Sequence, residues 1–177
     1  MTIQPQLSHF GVFCKNLDRM VQFYGDVFGM QVTDRGMGRT MPFEIAFLSG
    51  SPEQHHQLAL ASGREPQSKS TVMQISFKVK DLSELREARR RALASGGDAM
   101  RGLNHGNALS IYFRDIEENT VEVYLDTPWY VAQPHGDPLD LDLDDAAIWA
   151  ETERICREDP TFKTVEEWRL SFRSPIS

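Results

Sequence analysis

The chain is poor in cysteine, in positive charge and in long apolar runs, and each scarcity excludes something. Only two cysteines occur in 177 residues, Cys14 and Cys156. Their spacing fits no metal knuckle, which leaves neither a disulfide framework nor a thiolate zinc site; reduced thiols and a cytoplasmic location are expected. Lys and Arg number 19 against 26 Asp and Glu, for a net charge of −7. Without a basic patch, no nucleic acid is expected as a partner. No stretch approaches the roughly 18 apolar residues of a membrane span, so no membrane is expected either. The first ten residues, MTIQPQLSHF, lack the basic and apolar regions of a signal peptide. At 40% hydrophobic and 25% charged residues, the composition is that of an ordinary soluble protein.

What is present centres on His105 to Asp126. This stretch reads as two strands, Leu109 to Phe113 and Thr120 to Leu125, joined by a polar turn. Alternation puts Val121, Val123 and Leu125 on one face and Glu122 with Tyr124 on the other. A mid-strand carboxylate is by default a solvent-facing position of a half-buried sheet; a chemical role requires partners for it.

The rest of the chain supplies candidates through an internal repeat. A strand over Leu7 to Cys14 leads to a helix over Leu17 to Phe28, capped by Asn16 and ended by Gly29. Strands follow over Met30 to Asp34, Phe43 to Leu48 and His55 to Ala61. After a polar linker the pattern recurs, with a strand over Val72 to Val79 and a helix from Leu82 to Ser95 capped by Asp81 with Glu84 in a capping box. The offset is 65 residues early (Lys15 to Lys80, Leu17 to Leu82) and 66 later (Ile45 to Ile111, His56 to Glu122). The fold class expected is α+β: two tandem βαβββ modules, residues 5–62 and 72–126, forming one cupped mixed sheet within a domain of residues 1–130. Residues 131–177 form a helical C-terminal extension, with helices from Asp144 or Asp145 to about Arg157 and from a Thr164/Glu167 capping box. In that second helix Val165, Trp168 and Phe172 are spaced to share a face. The aromatic exit Trp129-Tyr130 reads as a hydrophobic lid, and His135 as a surface residue.

Superposing the two repeats brings four polar positions together: His9 and Gln74 at the start of the first strands, and His56 and Glu122 in the fourth. Singly, each is ordinarily a surface or hydrogen-bonded residue. Jointly, two imidazoles, an amide and a carboxylate on a concave face point to a divalent metal site or its degenerate remnant, because unpaired polar groups there would cost roughly 1–3 kcal/mol each.

The segments HFGVFCKNLDRMVQFYGDVFGM, HHQLALASG and NHGNALSIYFRDIEENTVEVYLDTPWY resemble the vicinal oxygen chelate superfamily of glyoxalases, fosfomycin-resistance proteins and extradiol dioxygenases. Within it, the likeness is greatest to extradiol catechol dioxygenases of the biphenyl-diol type. That resemblance implies metal ligands at His9, Gln74 and Glu122, an acid–base group near bound oxygen at His56, and diol contacts at His105 and Tyr112. It implies Fe(II) as cofactor, with Mn(II) or another first-row ion as alternatives. Gln74 departs from the histidine of that family, and the turn Asp115 to Asn119 replaces its usual Pro and Gly. The function expected is a metal-dependent, ring-cleaving dioxygenase for a catechol-like diol, an enzyme with a small-molecule substrate and a homodimeric state. The alternatives are a glyoxalase-like isomerase or lyase, in which His9, His56, Gln74 and Glu122 could form a four-ligand set, and a non-catalytic small-molecule-binding protein of the same fold.

Overall fold

A computed structural model describes residues 5–171. Each module folds as βαβββ. The first comprises β1 (Phe10–Cys14), α1 (Leu17–Phe28), β2 (Gln31–Met37), β3 (Glu44–Ser49) and β4 (Leu58–Ser62); the second comprises β5 (Ile75–Lys78), α2 (Leu82–Ala94), β6 (Asp98–Asn104), β7 (Ala108–Arg114) and β8 (Thr120–Asp126). The strand order is β1-β4-β3-β2 in one sheet. In the other it is β10-β6-β7-β8-β5, where β10 (Asp137–Pro138) comes from the extension. Both sheets are mixed, with β1 parallel to β4 and β5 parallel to β8. The single sheet expected from sequence is therefore two hydrogen-bonded sheets, one to each module. By contacts the chain divides into two units. One takes in the first module up to Met73 with Arg91–Asp98 and Arg114–Thr120; the other takes in Gln74–Arg90, Ala99–Phe113 and the chain from Val121 onward.

In the first unit, α1 starts at Asn16, whose side chain accepts from Arg19 N at 3.0 Å, and stops at Gly29 in the left-handed region (φ 67°). Its Met20, Phe23, Tyr24 and Val27 are buried with Val12, Ala46, Leu48, Leu58 and Leu60 of the strands. The polar 115–119 turn does structural work that Pro and Gly could not. Glu117 accepts the N–H groups of Lys15 and Asn16, both at 2.7 Å. Asp115 accepts from the Tyr24 hydroxyl at 3.0 Å and from the Asn119 amide at 2.7 Å.

In the second unit Ile75, Leu85, Leu109, Ile111, Phe113, Val121 and Val123 are buried. Glu84 N donates to the Asp81 side chain, the expected cap of α2, while the Glu84 carboxylate accepts from Lys80 N, one residue ahead of the cap, rather than from the cap itself. The extension packs on this unit. Asp137 and Pro138 pair with Asn104 and Leu103 of β6. Arg86 of α2 donates to the carbonyls of Leu141 and Leu143, both at 2.8 Å, and to Asp145 at 2.6 Å. Helix α3 (Asp145–Glu158) buries Ile148, Thr152 and Cys156. Two short strands, β9 (Trp129–Tyr130) and β11 (Lys163–Thr164), pair and lead into α4 (Val165–Ser171), whose capping box holds: Thr164 N donates to Glu167 and Glu167 N to Thr164 Oγ1. Phe172, expected on the face of this helix, lies outside the described residues.

The strand registers correct the repeat. Phe10 lies opposite Leu58, and Ile75 opposite Val121. The first-strand offset of 65 (75 − 10) stands, but the fourth-strand offset is 63 (121 − 58), not 66. Glu122 thus corresponds to Ala59, and His56 to a position ahead of the strand. An odd slip exchanges the two faces of a strand: an offset of 66 sets the buried Leu58 and Leu60 against Tyr124 and Asp126, whereas 63 sets them against the buried Val121 and Val123.

Candidate functional site

In β8, Val121 and Val123 turn to the core, and Glu122 projects to the other face at 8% exposure. Four neutral donors converge on its carboxylate. Oε1 accepts from Tyr112 Oη at 2.5 Å and Ser110 Oγ at 3.0 Å; Oε2 accepts from Ser76 Oγ at 2.7 Å and Gln74 Nε2 at 2.8 Å. Sheet geometry produces this convergence: Ser76 lies directly across from Glu122, and Ser110 and Tyr112 share one face of β7. Among the described residues no Lys or Arg forms an ion pair with Glu122.

Behind Tyr112 stands His105, in the connection between β6 and β7. Its Nε2 is 3.0 Å from Tyr112 Oη, and its Nδ1 is 2.6 Å from the carbonyl of His135. A carbonyl can only accept, so Nδ1 carries a proton; because the one phenol proton goes to Glu122, the Nε2 contact is a hydrogen bond only with Nε2 as donor to the Tyr112 oxygen. Burial first, then the hydrogen bond and charge of Glu122, push the Tyr112 phenol well above the ordinary tyrosine value; it remains a proton donor. Arg101 lies over its ring at 5.0 Å. Gln133 Nε2 donates to the carbonyl of His105 at 2.8 Å. His105, Asn107, Tyr112, Glu122, Tyr124 and Gln133 line a cavity of about 240 Å³.

The histidines of the first unit form a second cluster. His9 lies just ahead of β1, and the His9 and His56 rings are 4.1 Å apart. His56 Nδ1 is 2.9 Å from His55 Nδ1, and His55 Nε2 is 2.8 Å from Asp34 Oδ2. With His55 donating to Asp34, its Nδ1 accepts from His56, and His56 Nε2 keeps its lone pair. Burial first, then the charges of His9 and His55, lower the His56 pKa below 6.5, so neutral imidazole is the form present at pH 7.

Two placements correct the sequence reading. His56 is not in a strand: β4 begins at Leu58. The turn before it is held by Ser49 Oγ, which donates to Gln54 O at 2.7 Å, and by Gln57, whose side chain accepts from Gly50 N at 3.0 Å. His135 is half-buried rather than at the surface, with Nε2 3.0 Å from Asp137 and Nδ1 3.7 Å from Asp159. Gln74 falls one residue ahead of β5. The structure brings His9 to His56, and it brings Gln74, Tyr112 and, through Tyr112, His105 to Glu122. Sequence reasoning missed Ser76 and Ser110. The available signal was a hydroxyl two residues from each expected site residue, Gln74 and Tyr112, on the same face.

Among the described residues no three His, Cys, Asp or Glu side chains form a metal cluster; the expected ligand set depends on Gln74 as its third donor. That set fits a divalent ion in chemical type. Imidazole nitrogen, amide oxygen and carboxylate suit a first-row metal, and Glu122 is a buried carboxylate with no cationic partner among the described residues. Turning the Gln74 amide nitrogen toward Glu122 also leaves the harder donor, its oxygen, on the other branch.

A family model for the glyoxalase/bleomycin resistance protein/dioxygenase superfamily matches residues 6–123. Biphenyl-2,3-diol 1,2-dioxygenase 3 of Rhodococcus globerulus is 29% identical over 132 residues, covering 71% of this chain and 66% of that protein. The chain thus spans just under two thirds of this relative. Among solved structures, a glyoxylase/bleomycin resistance protein/dioxygenase domain from Frankia sp. EAN1pec superposes with a TM-score of 0.58 at 20% identity, covering 71% of this chain and 94% of that one. The fosfomycin resistance protein FosX from Listeria monocytogenes, complexed with Mn(II) and sulfate, superposes with a TM-score of 0.55 at 21% identity, covering 71% and 95%. At these identities the structural likeness is one of fold.

Proposed function

The chain belongs to the glyoxalase/bleomycin resistance protein/dioxygenase superfamily, and on that footing we propose that it is a metal-dependent ring-cleaving dioxygenase of the extradiol type, acting on a catechol-like aromatic diol. The observation that carries this reading is the chain of contacts from His105 through Tyr112 to the buried Glu122, on a cavity of about 240 Å³. The 29% identity to a biphenyl-diol dioxygenase supports it.

In this reading His9, Gln74 and Glu122 hold Fe(II), with Mn(II) or another first-row ion as alternatives. The ion, when bound, supplies a Lewis-acidic centre for both diol oxygens and dioxygen. Each remaining task falls to a side chain. With Glu122 engaged in holding the ion, the Tyr112 hydroxyl would be the group that donates to a diol oxygen. His105, oriented by the His135 carbonyl, holds that phenol in place. His56, neutral at pH 7, takes up a diol proton on Nε2. Two buried free thiols, Cys14 and Cys156, support the expected cytoplasmic setting. The open edge of β2, exposed along all seven residues, supports the expected homodimer.

One observation favours a second reading. Four donors already satisfy Glu122, which suits an isomerase or lyase with the carboxylate as base, or a binding protein without metal. Protein purified without oxygen, analysed for metal and then loaded with Fe(II), discriminates among these. The proposal expects about one equivalent of metal, oxygen uptake with 2,3-dihydroxybiphenyl and a yellow ring-fission product, with metal and uptake both lost in His9→Ala. Metal-dependent turnover of a 2-oxoaldehyde thiol adduct without oxygen uptake selects the isomerase. Small-molecule binding by protein that takes up no metal selects the binding protein.

A further inference from the structure

We propose that the C-terminal extension builds a separate binding site for planar aromatic anions, such as aryl carboxylates, in the cavity walled by Trp129, Tyr130 and Trp168 and rimmed by Arg169. The cavity measures about 280 Å³, near the lower end of the roughly 300–1,000 Å³ of small-ligand pockets, which suits one or two fused rings. Its walls are fixed in place. Tyr130 and Trp168 stack with centroids 5.7 Å apart and planes 19° apart, and Trp129 meets Trp149 edge-on at 6.2 Å. Backbone pairing of Trp129 with Thr164 and of Tyr130 with Lys163 sets these rings, and Val165 N donates to Pro128 O at 3.0 Å. A rigid aromatic wall keeps the entropic cost of binding low.

Charge selects the ligand. Asp126 lines the cavity but is paired with Lys78. The Lys78 ammonium is raised by its hydrogen bond to Asp126 first, while the nearby Arg169 charge opposes that shift. Arg169, Lys78 and Asp126 therefore leave one net positive charge beside the rings, in a chain of net charge −7. A guanidinium over an apolar slot recognises a carboxylate on a ring, and a neutral ring gains only the wall. Asn107 lines both this cavity and the one at Tyr112, but the site uses none of the proposed metal ligands.

Calorimetric titration of the full chain with 1-naphthoate and with neutral 1-naphthalenemethanol tests the proposal. Expected are saturable 1-naphthoate binding, unchanged by added Fe(II), and an Arg169→Gln variant that binds it about tenfold more weakly while binding the alcohol as before. Trp168→Ala should lose both ligands. Equal binding of acid and alcohol, a 1-naphthoate affinity indifferent to Arg169→Gln, or no saturable heat at millimolar ligand each overturns it. The Arg169 arm stands alone should Trp168→Ala fail to fold, because that exposed side chain contributes no core packing.

Discussion

The two modules share a strand order and differ in how their edges and inner faces are finished. Strand β2 is exposed along its whole length, and a Cβ built on its Gly36 would meet nothing within 4 Å. The corresponding edge strand β6 is covered by β10, and a Cβ on its Gly102 would sit 2.3 Å from the carbonyl oxygen of Leu139. One glycine is incidental; the other is what lets a second backbone come close. The inner faces diverge similarly. Where β8 carries Glu122 under four donors, the matching position of β4 is Ala59, and the polar chemistry of the first module sits instead in the histidines ahead of its strands. A duplicated backbone supplies equivalent positions, and each copy then furnishes different functional groups.

The sharpest way to break this comparison is a matched pair of substitutions. Gly102→Val should cost about 3 kcal/mol or more in urea unfolding, because the obstructing atom is backbone and β10 must leave the sheet. Gly36→Val should leave stability unchanged or raise it by about 0.5 kcal/mol. Equal costs would mean that the edges do not differ. Next in size, Glu122→Ala strips four donors of their acceptor, two of them, Ser110 and Tyr112, buried, and should cost about 2–3 kcal/mol, whereas Ala59→Ser on the matching strand should stay within about 0.5 kcal/mol. Tyr24→Phe, which removes one donor from Asp115 in the first unit, should cost about 1 kcal/mol by the same measurement. The smallest effect is a slope. Folded His56 lies below its ordinary value of 6.5, so the unfolded chain binds that proton more readily. The resulting stability is fully present above about pH 6.5 and is lost as pH falls below it. Unfolding curves for His56→Gln should therefore differ less between pH 5 and pH 7 than those of the parent chain. An unchanged slope would remove the claim that this ring is held neutral.

The helices were legible in the sequence because their signals are local. Asn16 and Gly29 bound α1, Asp81 with Glu84 starts α2, and Thr164 with Glu167 starts α4, each by hydrogen bonds spanning a few residues. The βαβββ repeat was legible from spacing. Register was not, because the parallel pairing of β1 with β4 depends on contacts nearly fifty residues apart, and the HHQLALA pattern gives no sign that Ser49 and Gln57 hold its first residues in a turn. Tyr112 and Glu122 could be singled out, but not the tight contact between them. The short strands β9, β10 and β11 have no periodicity to detect. Nor could sequence show that the His135 backbone, in a loop rich in aspartate and proline, is what orients His105.

The clasp between α2 and the extension has a practical corollary. Arg86 grips two main-chain carbonyls as well as Asp145, and Val131, Leu141, Ile148 and Cys156 are all shielded from water. A version of the chain cut back to residue 130 would bare the oily flank of its second half and leave an unmated ribbon beside it, inviting like molecules to stick. Whoever shortens this protein for crystallisation or fusion should expect aggregates unless the trailing helices travel with it.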